Sequence, residues 1–408
     1  MGLFLNRDFR LLWAGETVSK FGSSVTLVAL PLLAVTVLHA TTFQVGLLTA
    51  SETVAFLVVG LPAGAWVDRM RHRNVLVATD LGRTALLGSL PLAALLDVLT
   101  LTQLYLVALA VGVLTVFFDV AYQSYLPHLV GRDHLVEGNA KLQASESVAQ
   151  LAGPGVGGLL VQVLTAPYAL AVDAMSFLWS AGCVALIRAR QPKPERAPGS
   201  RLVREVAEGL RFVFGHRLLR AIAGCTASAN LFTAMVQPML IVLLSRELGL
   251  PAGMVGLFFT VSAAGGVLGA LLGRRIAGWL GQGPAIWVSI AASSPFGLLV
   301  PLVQDDWRLG LAAAGYLVMI FGATVYNIAQ VSFRQAMCPP YLLGRMNATM
   351  RFLVWGTLPI GGLVGGTLGS LVGVRPTLWI AAGGASLAFL SVFLSPLRSM
   401  RELPAYRE

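Results

Sequence analysis

The sequence GLPAGAWVDRMRHR, at residues 60–73, changes abruptly from apolar to charged residues. A run of uncharged residues ends at Asp68, and a cluster of basic residues follows at once at 69–73. Cationic residues just beyond a membrane span hold that end of the span on the cytoplasmic side. Gly60 and Gly64, one helical turn apart, allow another helix to approach closely. This stretch therefore predicts a membrane-spanning helix with a cytosolic end and a close helix contact.

The whole chain has the composition of an integral membrane protein. Of its 408 residues, 56% are hydrophobic and 12% are charged, whereas about 25% of the residues in a soluble domain are charged. Because one span uses about 20 to 25 residues, the chain accommodates roughly twelve spans joined by short loops. This length leaves no room for a separate soluble domain.

The net charge of +10 is distributed as expected for a membrane protein. Most lysines and arginines fall in loops that we predict to be cytosolic, whereas Arg246, Arg308 and Arg375 fall in the outer loops. This bias sets the orientation of the spans and predicts that both termini lie in the cytosol. We therefore attribute the basic charge to membrane topology and expect no nucleic acid as a partner.

We predict an all-α integral membrane protein with twelve transmembrane helices in two pseudo-symmetric six-helix lobes around a central cavity. The long polar interruption at residues 189–220 predicts a cytosolic linker between an N-terminal lobe, 1–188, and a C-terminal lobe with a short cytosolic tail, 221–408. Helical spacing of apolar residues within the linker predicts an amphipathic helix that lies on the inner membrane surface or is solvated. The predicted spans, numbered 1 to 12 in chain order, are 11–38, 44–67, 74–97, 102–126, 141–164, 168–188, 221–245, 252–273, 284–303, 309–333, 346–373 and 376–396.

Glycine pairs and polar groups recur every three spans. Glycines spaced four residues apart occur in spans 2, 5, 8 and 11, which marks these spans as close-packing helices. Polar residues within spans concentrate in spans 1, 4, 7 and 10, so we expect these spans to line a wet cavity. A pattern that repeats every three spans, within two sets of six spans, predicts internal repeats. The candidate cavity and substrate residues are Glu16, Phe118, Tyr122, Asn230, Gln237, Tyr326, Asn327 and Arg351.

The chain resembles the major facilitator superfamily in four segments. These are the loop that begins at Gly64, the segment that begins at Gly153-Pro154, GLRFVF at 209–214 and LLGRMNA at 342–348. Within that family, the chain is similar to a bacterial subgroup of drug and siderophore exporters, which includes macrolide-efflux and enterobactin-exporter proteins. The resemblance implies two six-helix lobes that export a small molecule by alternating access.

The resemblance also implies roles for two groups of residues. The loop after span 2 forms a cytosolic gate with the start of span 11, and it departs from the family pattern at Arg71 and His72, where the family usually has glycine and arginine. The span 5 segment is similar to a motif of antiporter members, although Ala149 stands where the family usually has glycine. The implied gate residues are Gly64, Asp68, Arg69, Arg73 and Asp119, and the implied motif residues are Gly153, Pro154, Gly157 and Gly158.

Carboxylates inside spans are the candidates for proton coupling, because an ionised side chain within a membrane is costly. These candidates are Glu16, Glu52 and Glu146. Counting residues from the cytosolic span ends places five residues at a similar depth, Glu16, Asp119, Glu146, Asn327 and Arg351. Entry of a substrate or movement of Arg351 could there change the proton affinity of a carboxylate. A local alternative exists for Glu16, since Glu16 and Lys20 are spaced for an ion pair within one helix.

Two other patterns have local explanations. Residues 153–158 match Gly-x-Gly-x-x-Gly, and Asp173 follows twenty residues after the first glycine. A dinucleotide site needs this pattern between a strand and a helix, whereas here both flanks are membrane spans. Asp80 and Arg83 in span 3 are spaced for a structural pair on one helix.

The expected function is that of a secondary active transporter, with proton-coupled efflux of an amphipathic small molecule. We expect no metal, because the five histidines lack metal-ligand spacing. We also expect no cofactor and no enzymatic activity. A proton-coupled importer of a small nutrient is the alternative, followed by a membrane enzyme or a sensor. We expect a monomer in the inner membrane of a bacterium, with the lipid bilayer, protons and a small-molecule substrate as its partners. The sequence leaves the identity of the substrate and the stoichiometry open.

Overall fold

The computed structural model describes residues 3–67, 69–131, 134–189, 202–339 and 342–400, and every regular element in these ranges is helical. This confirms the all-α prediction. The helices of the first half are α1 (Arg7–Thr36), α2 (Thr42–Val58), α3 (Gly60–Val67), α4 (His72–Leu95), α5 (Leu101–Val130), α6 (Leu135–Leu164) and α7 (Ala166–Ala185), preceded by a 3-10 turn at Leu3–Leu5. The later helices are α8 (Leu202–Gly215), α9 (Arg217–Val242), α10 (Ala252–Leu280), α11 (Gln282–Ser293), α12 (Arg308–Met337), α13 (Leu343–Trp355), α14 (Thr357–Leu371), α15 (Val374–Leu387) and α16 (Leu390–Phe393).

The membrane spans follow the predicted pattern. Eleven helices within the described residues are long and apolar enough to cross a membrane, and α2 is a shorter apolar helix at the predicted position of span 2. Span 7 continues from α9 through a π-helical turn at Leu243–Glu247, and span 9 continues from α11 through a 3-10 segment at Ser294–Leu302. The spans are therefore twelve apolar segments in the expected order.

Spans 2 and 11 are each split into two helices, whereas the sequence predicted continuous spans. The first helix ends at Val58 in span 2 and at Trp355 in span 11. Each of these ends lies four residues before a proline, Pro62 or Pro359. Proline has no N–H to donate to the carbonyl four residues earlier, and its ring collides with that carbonyl. The same local chemistry therefore interrupts both spans.

The chain divides into two compact units. The first unit contains α1, α2 from Ser51 onward, α3 to α7 and the segment Pro251–Thr260. Within it, α1 packs against α6 and α7, and α4 packs against α5 and α7. Its buried core at one end includes Phe9, Leu12 and Tyr125. Through these contacts α7 packs beside both α1 and α4. The three helices carry most of the buried charged residues of the described chain.

The second unit contains the segment Thr41–Ala50 and the helices from α8 onward, except for Pro251–Thr260. Within it, α9 packs against α14 and α15, and α12 packs against α11. Its buried core includes Phe333 and Met346. Thr41–Ala50 and Pro251–Thr260 thus group differently from the predicted lobes at 1–188 and 221–408.

The predicted linker helix is α8. It packs against α13 and α9, with Val213 fully buried and the neighbouring Phe214 exposed. An apolar face that alternates with charged residues explains this arrangement, because one side of the helix can be buried while the other stays polar. The preceding linker residues, 190–201, lie outside the described part of the chain.

Candidate functional site

Glu16 and Lys20 form an ion pair on α1. The Nζ atom of Lys20 lies 3.5 Å from Oε1 of Glu16, and Glu16 is 6% exposed. Residues four apart lie on the same face of a helix, so the pair follows from the spacing alone. The contact agrees with the local pairing considered from the sequence.

Two further carboxylates lie within electrostatic reach of Lys20. They belong to Asp119 on α5 and Glu146 on α6. Asp119 also interacts electrostatically with Glu16, and the half-buried Tyr122 interacts with all three carboxylates. We call Glu16, Lys20, Asp119 and Glu146 the acidic layer. Three helices of the first unit therefore bring three carboxylates to one lysine.

The other predicted proton site, Glu52, stands apart from this layer. Its side chain is half-buried on α2, and it makes no ion pair within the residues that the structure describes. The backbone of α2 at this point contacts Gly112 of α5 closely, because a Cβ atom at Gly112 would lie 2.5 Å from the carbonyl oxygen of Glu52. In contrast, Glu146 accepts a 3.4 Å hydrogen bond from Nε2 of Gln150 on its own helix.

A second group of charged side chains is buried between α4 and α7. Arg83 donates a hydrogen bond to Oδ1 of Asp80, and its guanidinium carbon lies 4.3 Å from the ring centre of Phe118 and 4.1 Å from that of Phe177. The structural pairing of Asp80 with Arg83 was predicted, whereas the two rings that cover Arg83 were not. Phe118, predicted to contact substrate, is 3% exposed and packs against Arg83 here.

Asp173 on α7 is bonded by hydroxyl groups. Thr26 of α1 donates to Oδ2, and Ser176 donates to Oδ1 over 2.9 Å. A Cβ atom at Gly22 would collide with this carboxylate, so glycine allows the close approach of α1. Thr26, Ser176 and Gly22 were not identified from the sequence. Four-residue spacing of Gly22 and Thr26 on one helix face was the available signal.

The glycines of the span 5 motif lie where α6 closely contacts neighbouring helices. A Cβ atom at Gly157 would lie 3.0 Å from the Cα atom of Val25 in α1, and one at Gly158 would lie 2.8 Å from the Cα atom of Gly256 in α10. A Cβ atom at Gly153 would collide with the side chain of Ser24 in α1. The helix continues through Pro154 without a break. Small residues here allow α6 to pack against both α1 and α10 within the first unit.

The gate residues are described in part. Arg73 donates from Nε to the carbonyl of Val184 over 3.2 Å and from Nη2 to the carbonyl of Ala185, and it thereby caps the C-terminal end of α7. Arg69 is exposed. Gly64 lies within α3. Asp68 lies outside the described residues, so its predicted gate contact remains a prediction.

Three of the cavity residues predicted in the second unit make hydrogen bonds within that unit. Asn230 donates from Nδ2 to the carbonyl of Val354 over 3.3 Å, and Tyr326 exchanges a hydrogen bond with Thr226. Asn327 accepts a 2.9 Å hydrogen bond from Nε2 of Gln330. Gln237 is half-buried.

Arg351 and Arg334 differ in their exposure. Arg351 is exposed, with its guanidinium carbon 4.9 Å from the ring centre of Trp355. Arg334 on α12 is 8% exposed, and within the described part of the chain its Nε atom has no hydrogen-bond partner. The sequence placed Arg334 in a cytosolic loop. The spacing of Tyr326, Gln330 and Arg334 along one helix face was the signal that it belongs to the span.

The described residues contain no group of three His, Cys, Asp or Glu side chains arranged to hold a metal ion. The three cysteines, Cys183, Cys225 and Cys338, are free and buried.

Comparison with known proteins identifies relatives along nearly the whole chain. The sequence matches the Major Facilitator Superfamily over residues 12–357. It is 26% identical over 411 residues to the multidrug efflux pump Tap of Mycolicibacterium fortuitum, with 96% of each chain covered. It is also 27% identical over 408 residues to the enterobactin exporter EntS of Escherichia coli O1:K1, with 97% of this chain and 94% of that protein covered.

Solved structures show the same fold at low sequence identity. The nucleoside transporter NupG, as its D323A mutant, superposes with a TM-score of 0.80 at 12% identity and covers 95% of this chain and 99% of its own. A bacterial homologue of the iron transporter ferroportin, in an inward-facing state, superposes with a TM-score of 0.79 at 14% identity, covering 98% and 100%.

Proposed function

The chain belongs to the major facilitator superfamily, and we propose that it exports an amphipathic small molecule by alternating access in exchange for protons. The family makes it a multi-pass membrane transporter, as the sequence predicted. Export, coupling to protons and the class of substrate are the proposal.

The observation that carries this proposal is the alignment with two exporters. Tap is named a multidrug efflux pump and EntS an enterobactin exporter, and each aligns with 96% or more of this chain. Alignment along the whole length includes both halves of the transporter, so it does not reflect one shared motif. This supports export over uptake of a nutrient, which was the alternative from the sequence. The likeness to NupG is at 12% identity and concerns the fold alone.

The acidic layer supports coupling to protons. Three carboxylates, one each from α1, α5 and α6, interact electrostatically with Lys20. If all three were ionised, this part of the membrane interior would hold excess negative charge, which is costly. Binding a proton removes part of that charge, and a cationic substrate at the same site would do so as well. Competition between protons and such a substrate is what antiport requires.

The remaining parts of the proposal concern location and partners. The two relatives come from bacteria, which supports a place in the cytoplasmic membrane. The excess of basic residues in the predicted inner loops supports cytosolic termini. We further propose that the transporter works as a monomer within the lipid bilayer and without a cofactor.

The test is proton movement in liposomes that contain the purified protein and an internal pH-sensitive dye. Ethidium serves as an amphipathic aromatic cation and 2,3-dihydroxybenzoate as a siderophore-like anion. We expect one of these probes to drive proton movement with the wild type, and Glu16→Gln to abolish that movement.

Asp305→Asn is the matched control, because Asp305 is an exposed carboxylate in a loop that the sequence predicts to be outer. It should couple like the wild type. Transport of a probe without proton movement would refute the coupling, and equal coupling in Glu16→Gln and Asp305→Asn would exclude Glu16 from it.

A further inference from the structure

Asp173 is a buried carboxylate outside the acidic layer. It lies in the middle of the membrane-spanning helix α7 and is 1% exposed. Its two described hydrogen bonds come from neutral hydroxyl groups, those of Thr26 and Ser176. Neither donor carries a charge that could neutralise an ionised carboxylate.

The charged groups that act on Asp173 within the described residues are Arg83 and Asp80 of α4. Arg83 is already hydrogen-bonded to Asp80, which is fully buried. The aromatic rings of Phe118 and Phe177 cover the guanidinium of Arg83. One cation is therefore shared by two buried carboxylates. We call Asp80, Arg83 and Asp173 the buried triad.

Among the residues that the structure describes, the other helices that pack against α7 bring no further cation to the depth of Asp173. On α1 the nearest charged residue is Lys20, which is six residues before Thr26 and thus about 9 Å away along the helix axis. Lys20 is paired with Glu16. On α6 the nearest is Glu146, which interacts electrostatically with Lys20. The charge of the triad is therefore balanced by its own members or by a bound proton.

We propose that Asp173 is a second proton-binding site of the transport cycle, separate from the acidic layer. Two ionised carboxylates beside one guanidinium leave one uncompensated negative charge in the membrane interior, which is costly. One proton bound to Asp173 removes this charge. Both protonation states can be hydrogen-bonded there, because a hydroxyl group donates to a carboxylate and accepts from a protonated carboxyl group. The hydroxyls of Thr26 and Ser176 therefore suit a carboxyl group that gains and loses a proton.

Arg83 links this site to the acidic layer. It is within electrostatic reach of Glu16 and Lys20 as well as of Asp173. Loss of a proton at one carboxylate therefore draws Arg83 toward it and weakens the balance of charge at the other. This part of the inference rests on the proposed proton-coupled transport, whereas proton binding by Asp173 does not.

Infrared difference spectroscopy of the purified protein in lipid vesicles tests proton binding without any substrate. The carbonyl stretching band of a protonated carboxylic acid should titrate with pH in the wild type, and Asp173→Asn should remove one component of it. Glu52→Gln, a matched loss of a different intramembrane carboxylate, should leave that component in place. Identical titrating bands in Asp173→Asn and the wild type would overturn the proposal.

A second variant covers the case in which Asp173→Asn does not fold. Ser176→Ala removes one hydrogen bond and keeps the carboxyl group, so it should shift the frequency of the same component. Ser289→Ala is its control, because the buried Ser289 donates to the carbonyl of Ala285 on its own helix. An unshifted component in Ser176→Ala would contradict the assignment to Asp173.

Ethidium-driven proton movement in liposomes tests the role in transport. Asp173→Asn should reduce the number of protons moved per ethidium, and an unchanged ratio would overturn the role in the cycle. If the wild type moves no protons with either probe, the proposed antiport fails. The infrared result still decides whether Asp173 binds a proton.

Discussion

Replacement of Gly158 by alanine should loosen a backbone contact in the first unit. A Cβ atom at this position would lie 2.8 Å from the Cα atom of Gly256 and would collide with the carbonyl oxygen of Ala252. Both contacts are with the backbone of α10, which cannot move aside as a flexible side chain can. The segment Pro251–Thr260 must therefore shift away from α6 to accept the methyl group.

The size of the effect follows from a control glycine. Overpacking of a tight contact costs about 1–3 kcal/mol, whereas alanine is favoured over glycine inside a helix by about 1 kcal/mol. Gly182 is also helical, and a Cβ atom there would meet nothing within 4 Å, so Gly182→Ala isolates the helix-propensity gain. The difference in stability between Gly158→Ala and Gly182→Ala should thus equal the packing cost. This cost corresponds to about a 5- to 150-fold change in the equilibrium for separation of α10 from α6.

Cysteine labelling measures this opening. Ala252 is half-buried at the start of α10, and the three native cysteines are buried. An Ala252→Cys reporter in detergent should react with a polar maleimide several-fold faster when combined with Gly158→Ala than with Gly182→Ala. Equal labelling rates in the two backgrounds would show that α6 and α10 tolerate the added methyl group, and the argument from the glycine contact would then be wrong.

Three further substitutions test contacts that the structure describes. Lys20→Met should lower the melting temperature by leaving Glu16 buried without its cation, a loss of up to about 3 kcal/mol, and adding Glu16→Gln should restore most of it. Arg73→Gln should destabilise α7 by about 1 kcal/mol through loss of its C-terminal cap, whereas Arg71→Gln, at an exposed position, should not change thermal unfolding. Arg334→Met should stabilise the protein by about 1 kcal/mol and raise its melting temperature, because within the described residues Arg334 is a buried cation without an ion pair. A lower melting temperature would indicate that Arg334 has a partner.

The membrane spans and their order could be predicted from the amino-acid sequence. Apolar length is a local property, and a segment within a bilayer must satisfy its own backbone hydrogen bonds as a helix. The pair of Glu16 with Lys20 and that of Asp80 with Arg83 were also predictable, because each pair lies within one turn of a single helix. Pro62 and Pro359 were equally local signals of the helix breaks that precede them, although continuous spans were predicted.

Contacts between residues on different helices became visible only in the folded chain. Asp173 receives its hydrogen bond from Thr26, 147 positions away in the chain, and Arg83 lies between rings from α5 and α7. Counting residues from a span end gives the depth of a side chain in the membrane. Which neighbouring helix a side chain faces is set only when the helices are packed together. For that reason the sequence located Glu16 and Asp119 at a similar depth, and the fold alone revealed Asp173 beside one shared cation.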